Sequence, residues 1–264
     1  MEIHSTVDHL WNGQSTSLAV KVLAGADNRA TANASPGFVW LGGFRSDMAG
    51  TKADAMVECA QKEGCSSLRF DYSGHGVSEG EFTQGCISRW TAESLEIIRR
   101  KTDGPQVLVG SSMGGWIALR VVQELQTLGE GDRVGGLLLI APAPDFTKEL
   151  MEPEFTDDQK SDLEAKGYFE EPSEYSDEPT TITKLLIEDG RENLVLHSEL
   201  NVGGPVRILQ GMQDPDVPWQ HALRVVETLA NDDVQVTLVK DGDHRLSREQ
   251  DLELLEKTLV QFVE

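Results

Sequence analysis

Val107-Leu108-Val109-Gly110-Ser111-Ser112-Met113-Gly114-Gly115-Trp116 is the stretch on which the fold turns. An apolar run of strand character ends in small residues and passes at once into a helical pattern. Gly110, Ser112 and Gly114 fit G-x-S-x-G, a strained strand-to-helix turn that exposes a serine hydroxyl. A side chain two residues to either side would clash with the neighbouring strand and helix, and glycine removes those clashes. Ser111 cannot replace Ser112, because only Ser112 has glycines at both flanking positions.

Such a turn belongs in a layered sheet, and the chain around it has that rhythm. Ile3 to Leu10 and Ser17 to Leu23 alternate about Trp11-Asn12-Gly13-Gln14, a hairpin pattern. A polar loop, Asn28 to Pro36, follows. Gly37 to Gly43 reads as a buried parallel strand ending in glycines, Lys52 to Glu63 as a helix and Ser67 to Asp71 as a strand. Ile87 to Arg100 is helical, with Trp90, Leu95 and Ile98 on one face. The strand before Ser112, a helix from Met113 to Leu128 and a strand from Val134 to Ala141 come next. The alternation resumes with strand Val206 to Gln210, helix Pro218 to Leu229, strand Val234 to Val239 and helix Arg248 to Val263. This order predicts an α/β fold with a mostly parallel sheet covered by helices on both faces.

Between Thr147 and Pro205 the rhythm breaks. This segment holds 16 acidic and 5 basic residues, about half the net charge of the chain. Helical patterns at Asp157 to Lys166 and Thr181 to Glu192 are joined by Pro- and Ser-bearing turns. Leu185, Leu186, Leu194 and Leu196 read as buried, so the segment is expected to be a helical lid and not a solvated linker. Residues 1–146 and 206–264 form the core in this scheme, and 147–205 the lid.

Composition narrows the function. The 264 residues are 39% hydrophobic with a mean hydropathy of -0.32, as in an ordinary globular chain. No apolar run approaches the ~20 residues of a membrane-spanning helix. The formal charge of -22 argues against nucleic acid, which needs clustered Lys and Arg, and against anionic lipid. Met1 to Val22 has neither a signal peptide's apolar core nor a transit peptide's arginines, so a cytoplasmic location is expected. Cys59, Cys65 and Cys86 form no C-x-x-C pair and read as reduced thiols.

In such a sheet chemistry sits at the strand ends. The strand from Val206 runs into Gly211-Met212-Gln213-Asp214-Pro215-Asp216, and the strand from Val234 runs into Asp241-Gly242-Asp243-His244. A serine hydroxyl needs a base, and histidine is the side chain whose ordinary pKa lies near the working pH. Its second nitrogen needs a carboxylate to fix the tautomer. Ser112, Asp214 and His244 are therefore the candidate catalytic residues. Asp216 is the rival acid, and Asp243 is expected to face solvent. Oxyanion donors are expected from the backbone N–H of Met113 and of Phe44, in the loop after the first central strand.

Other constellations fail. Gly74-His75-Gly76-Val77-Ser78-Glu79-Gly80 nearly matches a dinucleotide fingerprint, but Glu79 stands where the third glycine belongs and no helix opens there. There is no phosphate loop. His4, His9, His75, His197 and His221 lack metal-ligand spacing and read as surface or locally hydrogen-bonded residues, with His197 also a candidate to face the site. No cofactor and no metal are expected.

With these residues in place, the chain resembles the α/β-hydrolase superfamily. More narrowly, it resembles the mitochondrial hydrolases described as palmitoyl-protein thioesterases and mycophenolic acid acyl-glucuronide esterases, with their bacterial relatives. The resemblance runs from about Trp40 to the C-terminus. It rests on Gly43-Phe44-Arg45-Ser46-Asp47-Met48, Gly50-Thr51-Lys52-Ala53, Arg69 to Gly76, Gly104 to Trp116, Gly211 to Asp214 with Val217-Pro218-Trp219, and Asp243-His244-Arg245. It implies Ser112 as nucleophile, Asp214 as acid and His244 as base, in a hydrolase of acyl thioesters or esters with a small-molecule or acylated-protein substrate. A small-molecule carboxylesterase is the alternative, and a non-catalytic binding protein on the same fold the less favoured one. The chain departs from the family in its strongly acidic lid and in an N-terminus that does not read as a mitochondrial presequence, so a bacterial relative is expected.

Overall fold

The first two strands, β1 (Ile3–Trp11) and β2 (Gln14–Leu23), turn on Asn12-Gly13, both at positive φ (48° and 81°). That geometry gives a two-residue turn whose twist matches the strands it joins. The computed structural model describes residues 1–25, 35–172, 179–229 and 233–263. All but the last two residues of the expected loop from Asn28 to Pro36 lie outside them.

The chain then alternates: β3 (Gly37–Leu41), α1 (Thr51–Lys62), β4 (Ser67–Phe70), α2 (Ile87–Lys101), β5 (Gln106–Ser111), α3 (Met113–Thr127) and β6 (Val134–Ile140). After an insertion containing α4 (Asp157–Lys166), β7 (Tyr168–Glu171), β8 (Thr180–Thr183) and α5 (Lys184–Glu192), it resumes. The last elements are β9 (Val206–Gly211), α6 (Trp219–Thr228), β10 (Val234–Val239) and α7 (Glu249–Val260). Eight strands form one sheet in the order β1-β2-β4-β3-β5-β6-β9-β10. The β1–β2 and β2–β4 pairs are antiparallel, and the other pairs are parallel.

The central strands are buried on both faces, which explains their continuous apolar runs. Along β5, Leu108 faces the cluster that holds Trp90 and Ile98 of α2 and Trp116 and Leu119 of α3. Val107 and Val109 face the cluster that holds Met56 of α1 and Leu255 and Leu259 of α7. Leu137 and Leu139 against Leu138 and Ile140 repeat the division on β6, the period of two that a strand imposes. Among the described residues, no helix is long and apolar enough to cross a membrane. Cys59, Cys65 and Cys86 are buried and not joined in disulfides, and burial pushes the Cys59 thiol up to about 11.

The insertion leaves the sheet between the neighbouring strands β6 and β9. It opens with a π-helical turn, Thr147–Met151. Helix α4 is closed by a capping box between Thr156 and Gln159 and by left-handed Gly167. Thr181 does not begin a helix as the sequence pattern suggests. Thr180–Thr183 pairs antiparallel with Tyr168–Glu171, and α5 starts only after Thr183, whose hydroxyl accepts the Leu186 N–H. Four consecutive residues of β-branched type favour the strand, and Ile182 opposite Phe169 gives it a buried face. The Pro- and Ser-bearing turn expected before it falls largely on residues 173–178, outside the described set. Leu163, Phe169, Ile182 and Ile187 form a small core of the insertion's own. Its two stems are joined by Asp145, wholly buried, whose carboxylate accepts the N–H groups of Val195 (2.8 Å) and Leu196 (2.9 Å).

Candidate active site

Ser112 lies between the end of β5 and the first residue of α3, at φ 55° and ψ -120°. A serine there is strained by about 1–3 kcal/mol, so the surroundings must hold it. Its N–H donates to the Ile140 carbonyl (2.9 Å), and its own carbonyl accepts from Gly115 (2.8 Å) and Ala143 (3.1 Å). The flanking glycines are sterically required. A Cβ at Gly110 would lie 2.5 Å from the Gly114 carbonyl oxygen, and one at Gly114 only 2.0 Å from that of Leu41.

The ends of β9 and β10 bring the other candidates to this serine. Ser112 Oγ is 3.1 Å from His244 Nε2, and His244 Nδ1 is 2.8 Å from Asp214 Oδ2. Donation from Nδ1 to a carboxylate leaves Nε2 as the acceptor for the serine hydroxyl. Asp214 is fully buried at its side chain and His244 is 17% exposed, so the relay is largely shielded from water. Asp214 Oδ1 accepts the N–H groups of Asp216 (2.9 Å) and Val217 (2.8 Å), and Oδ2 also accepts from Gln210 Nε2 (3.1 Å). These bonds fix the plane of the carboxylate toward the imidazole. The loops that carry Asp214 and His244 are locked together, with Gln213 N–H on the Gly242 carbonyl at 2.8 Å. Gly211 leaves room for this approach, since a Cβ there would meet that carbonyl at 2.4 Å.

The place beside His244 Nδ1 belongs to Asp214, and the rival Asp216 contributes its backbone amide to that carboxylate. Asp243 is exposed and accepts the Leu246 N–H within its own turn. His197 is paired with Glu149 at 2.9 Å. His221 is buried on the Pro144 carbonyl, and His9 is buried against Glu96. Met113 opens α3, where the first amides of a helix have no intrahelical acceptor. The loop that carries Phe44 passes directly against the serine: a Cβ at Gly43 would lie 3.4 Å from Ser112 Cβ.

Two contributors escaped the sequence reading. Gln210 reads as the last residue of a strand, and only its polarity in an apolar run hints at the bond to Asp214. Lys52, from α1, donates to the carbonyl of Arg245, next to His244. Burial holds its ammonium down to about 8, against the opposing influence of Asp243. Among the described residues, Asp214, Asp216 and His244 are the one group close enough to hold a metal ion. An ion there would compete with His244 and with two amides for Asp214, so the donor set fits a relay better than a metal site.

Comparison with known proteins agrees with the fold. The alpha/beta hydrolase family profile matches residues 36–257. The human mitochondrial palmitoyl-protein thioesterase ABHD10 is 36% identical over 233 residues, 87% of this chain and 74% of that protein. A crystal structure from Agrobacterium vitis S4, described as that of a hydrolase, is 48% identical, with a TM-score of 0.95 over 100% of both chains. Mouse alpha/beta hydrolase domain-containing protein 10 is 33% identical, with a TM-score of 0.83 over 98% of each chain. The chain belongs to the alpha/beta hydrolase family.

Proposed function

We propose that the protein is a serine hydrolase that cleaves acyl thioesters or esters through an acyl-enzyme on Ser112. The observation that carries this reading is the unbroken relay from Ser112 Oγ through His244 to Asp214 on a strained turn. His244 Nε2 takes the hydroxyl proton as Oγ attacks the acyl carbon, and Asp214 stabilises the imidazolium. The carbonyl oxygen, now an oxyanion, is received by the N–H groups of Met113 and Phe44, each donor worth ~3 kcal/mol to the transition state. His244 then delivers its proton to the departing sulfur or oxygen. A water molecule repeats the sequence on the acyl-serine, with His244 again as base, and releases the acid.

The insertion, residues 147–205, acts in this scheme as a cap that receives the acyl group. Phe44 and Met151 pack both on the main core and on the insertion's own cluster, where Phe155 joins them. This apolar seam begins at the residue that supplies an oxyanion donor and suits an acyl chain. Thioesters are favoured because the curated relatives from human and mouse are named palmitoyl-protein thioesterases.

The test is a kcat/KM series over matched esters and thioesters of rising chain length. The expected result is higher kcat/KM for thioesters, rising with chain length, with Ser112→Ala lower by roughly 10⁴-fold or more. A flat profile confined to short esters would make the protein a small-molecule carboxylesterase. Full turnover by Ser112→Ala would remove the serine mechanism.

A further inference from the structure

The reaction leaves Gly74-His75-Gly76 without a role, although this stretch lies within the sequence that shares the family's features. His75 is 3% exposed, caged by Tyr72, Phe82 and Trp90 with ring centroids 5.5, 5.3 and 5.1 Å away. Its Nδ1 lies 3.2 Å from the Ser73 carbonyl oxygen, which can only accept, so the proton belongs on Nδ1. Nε2 is then an acceptor, and it takes the backbone N–H of Arg45 at 3.2 Å. Burial holds the imidazole pKa down to about 4, which keeps this arrangement at neutral pH.

The partner of that bond is strained. Arg45 is left-handed at φ 57° and lies in the turn closed by Ser46 N–H on the Gly43 carbonyl (3.2 Å). Phe44 is the other central residue of this turn. Two more bonds from the same strip grip the loop. The Tyr72 hydroxyl donates to the Gly42 carbonyl (3.3 Å), and Asp71 Oδ1 accepts the Met48 N–H (2.7 Å). The loop is therefore held on both sides of Phe44. The glycines make the strip possible: a Cβ at Gly74 would lie 2.6 Å from the Phe82 backbone, and one at Gly76 2.1 Å from Asp71 Oδ2.

We propose that His75 is a positioning residue for the oxyanion site: by accepting the Arg45 N–H it holds the left-handed turn that presents the Phe44 N–H to the tetrahedral intermediate. This rests on the reading of Phe44 as an oxyanion donor. A histidine that merely filled the core could be exchanged for another flat ring, whereas one that holds Arg45 must keep an acceptor at Nε2.

The full chain carrying His75→Phe or His75→Gln separates these roles. Phe supplies the ring without the acceptor, and Gln supplies an acceptor oxygen near the Nε2 position. His75→Phe is expected to lower kcat roughly 10- to 100-fold with KM nearly unchanged, the size of effect that misplacing a reacting group produces. Affinity for an alkylboronic acid, whose serine adduct mimics the intermediate, should fall by a similar factor, and His75→Gln should recover most of both. Equal behaviour of the two variants, whether both active or both impaired, would overturn the proposal. Nitrogen-15 NMR of the unsubstituted protein gives a reading independent of any substitution. His75 should stay protonated at Nδ1 and bare at Nε2 from pH 5 to pH 8, and a proton on Nε2 would overturn the proposal. No boronate binding by the unsubstituted protein would remove the oxyanion reading itself, a result distinct from retained affinity in His75→Phe.

Discussion

Ser112 occupies a conformation that serine avoids, and the residues that hold it there are as specific as the serine itself. Gly110 and Gly114 are needed because carbonyl oxygens stand where their side chains would be. The proposed acid, Asp214, is equally constrained, since it has donors on both oxygens and the imidazole on one of them. Asp214→Asn should therefore lower kcat by roughly 10³- to 10⁴-fold, because an amide favours the wrong imidazole tautomer. Asp216→Asn should cost far less, since its backbone N–H, not its side chain, binds Asp214. Parallel kcat measurements on the two variants check this, and the reverse ranking would hand the role to Asp216. The meeting of Ser112, Asp214 and His244 was legible in the sequence because a serine, a carboxylate and an imidazole stand at strand ends in that chain order. Gln210, Lys52 and the part proposed for His75 were not, because each makes its contact with a residue distant in the chain or in a neighbouring loop.

Elements were legible where one periodicity ran unopposed. The doubly buried strands β3, β5 and β6 announce themselves as apolar runs, and α2 as an amphipathic helix. Thr181 to Thr183 reads as the start of a helix because Ile182, Leu185 and Leu186 also fit a helical face. The deciding interaction is pairing with Tyr168–Glu171, which no local pattern encodes. Helix α7, which covers one face of the sheet, depends on its first turn. Asp251 accepts from the Arg248 backbone N–H (3.1 Å) and from its guanidinium (2.8 Å), and those bonds hold its carboxyl below the usual carboxylate range. A lowered pKa contributes stability that is present above the unfolded carboxylate range and lost as the pH falls through the folded value. Asp251→Asn should thus destabilise the protein by about 1–3 kcal/mol at pH 7, the worth of hydrogen bonds to a charged group. The difference should shrink below about pH 4, where the parent carboxylate takes up its proton. Denaturant titrations of both proteins at pH 7 and in acid measure it, and a gap that is the same at both pH values would contradict the assignment.

For the whole molecule, the parallel sheet could be read from the alternation of patterns, and the net charge from composition. At -22, with half of that charge in residues 147–205, self-repulsion outweighs surface ion pairs worth ~0–1 kcal/mol each. Raising the sodium chloride concentration from low to moderate should therefore raise Tm, because salt screens the long-range repulsion more than the contact pairs. A Tm that falls would mean that the ion pairs dominate. The same fold places a strained serine, a shielded relay and an apolar seam at the C-terminal ends of the parallel strands, and the proposed reaction depends on the serine. Mass-spectrometric mapping of the fluorophosphonate adduct on the intact protein tests it most directly. One adduct is expected, on Ser112 and absent from Ser112→Ala; an adduct on Ser111 or elsewhere, or undiminished labelling of Ser112→Ala, would overturn the serine mechanism.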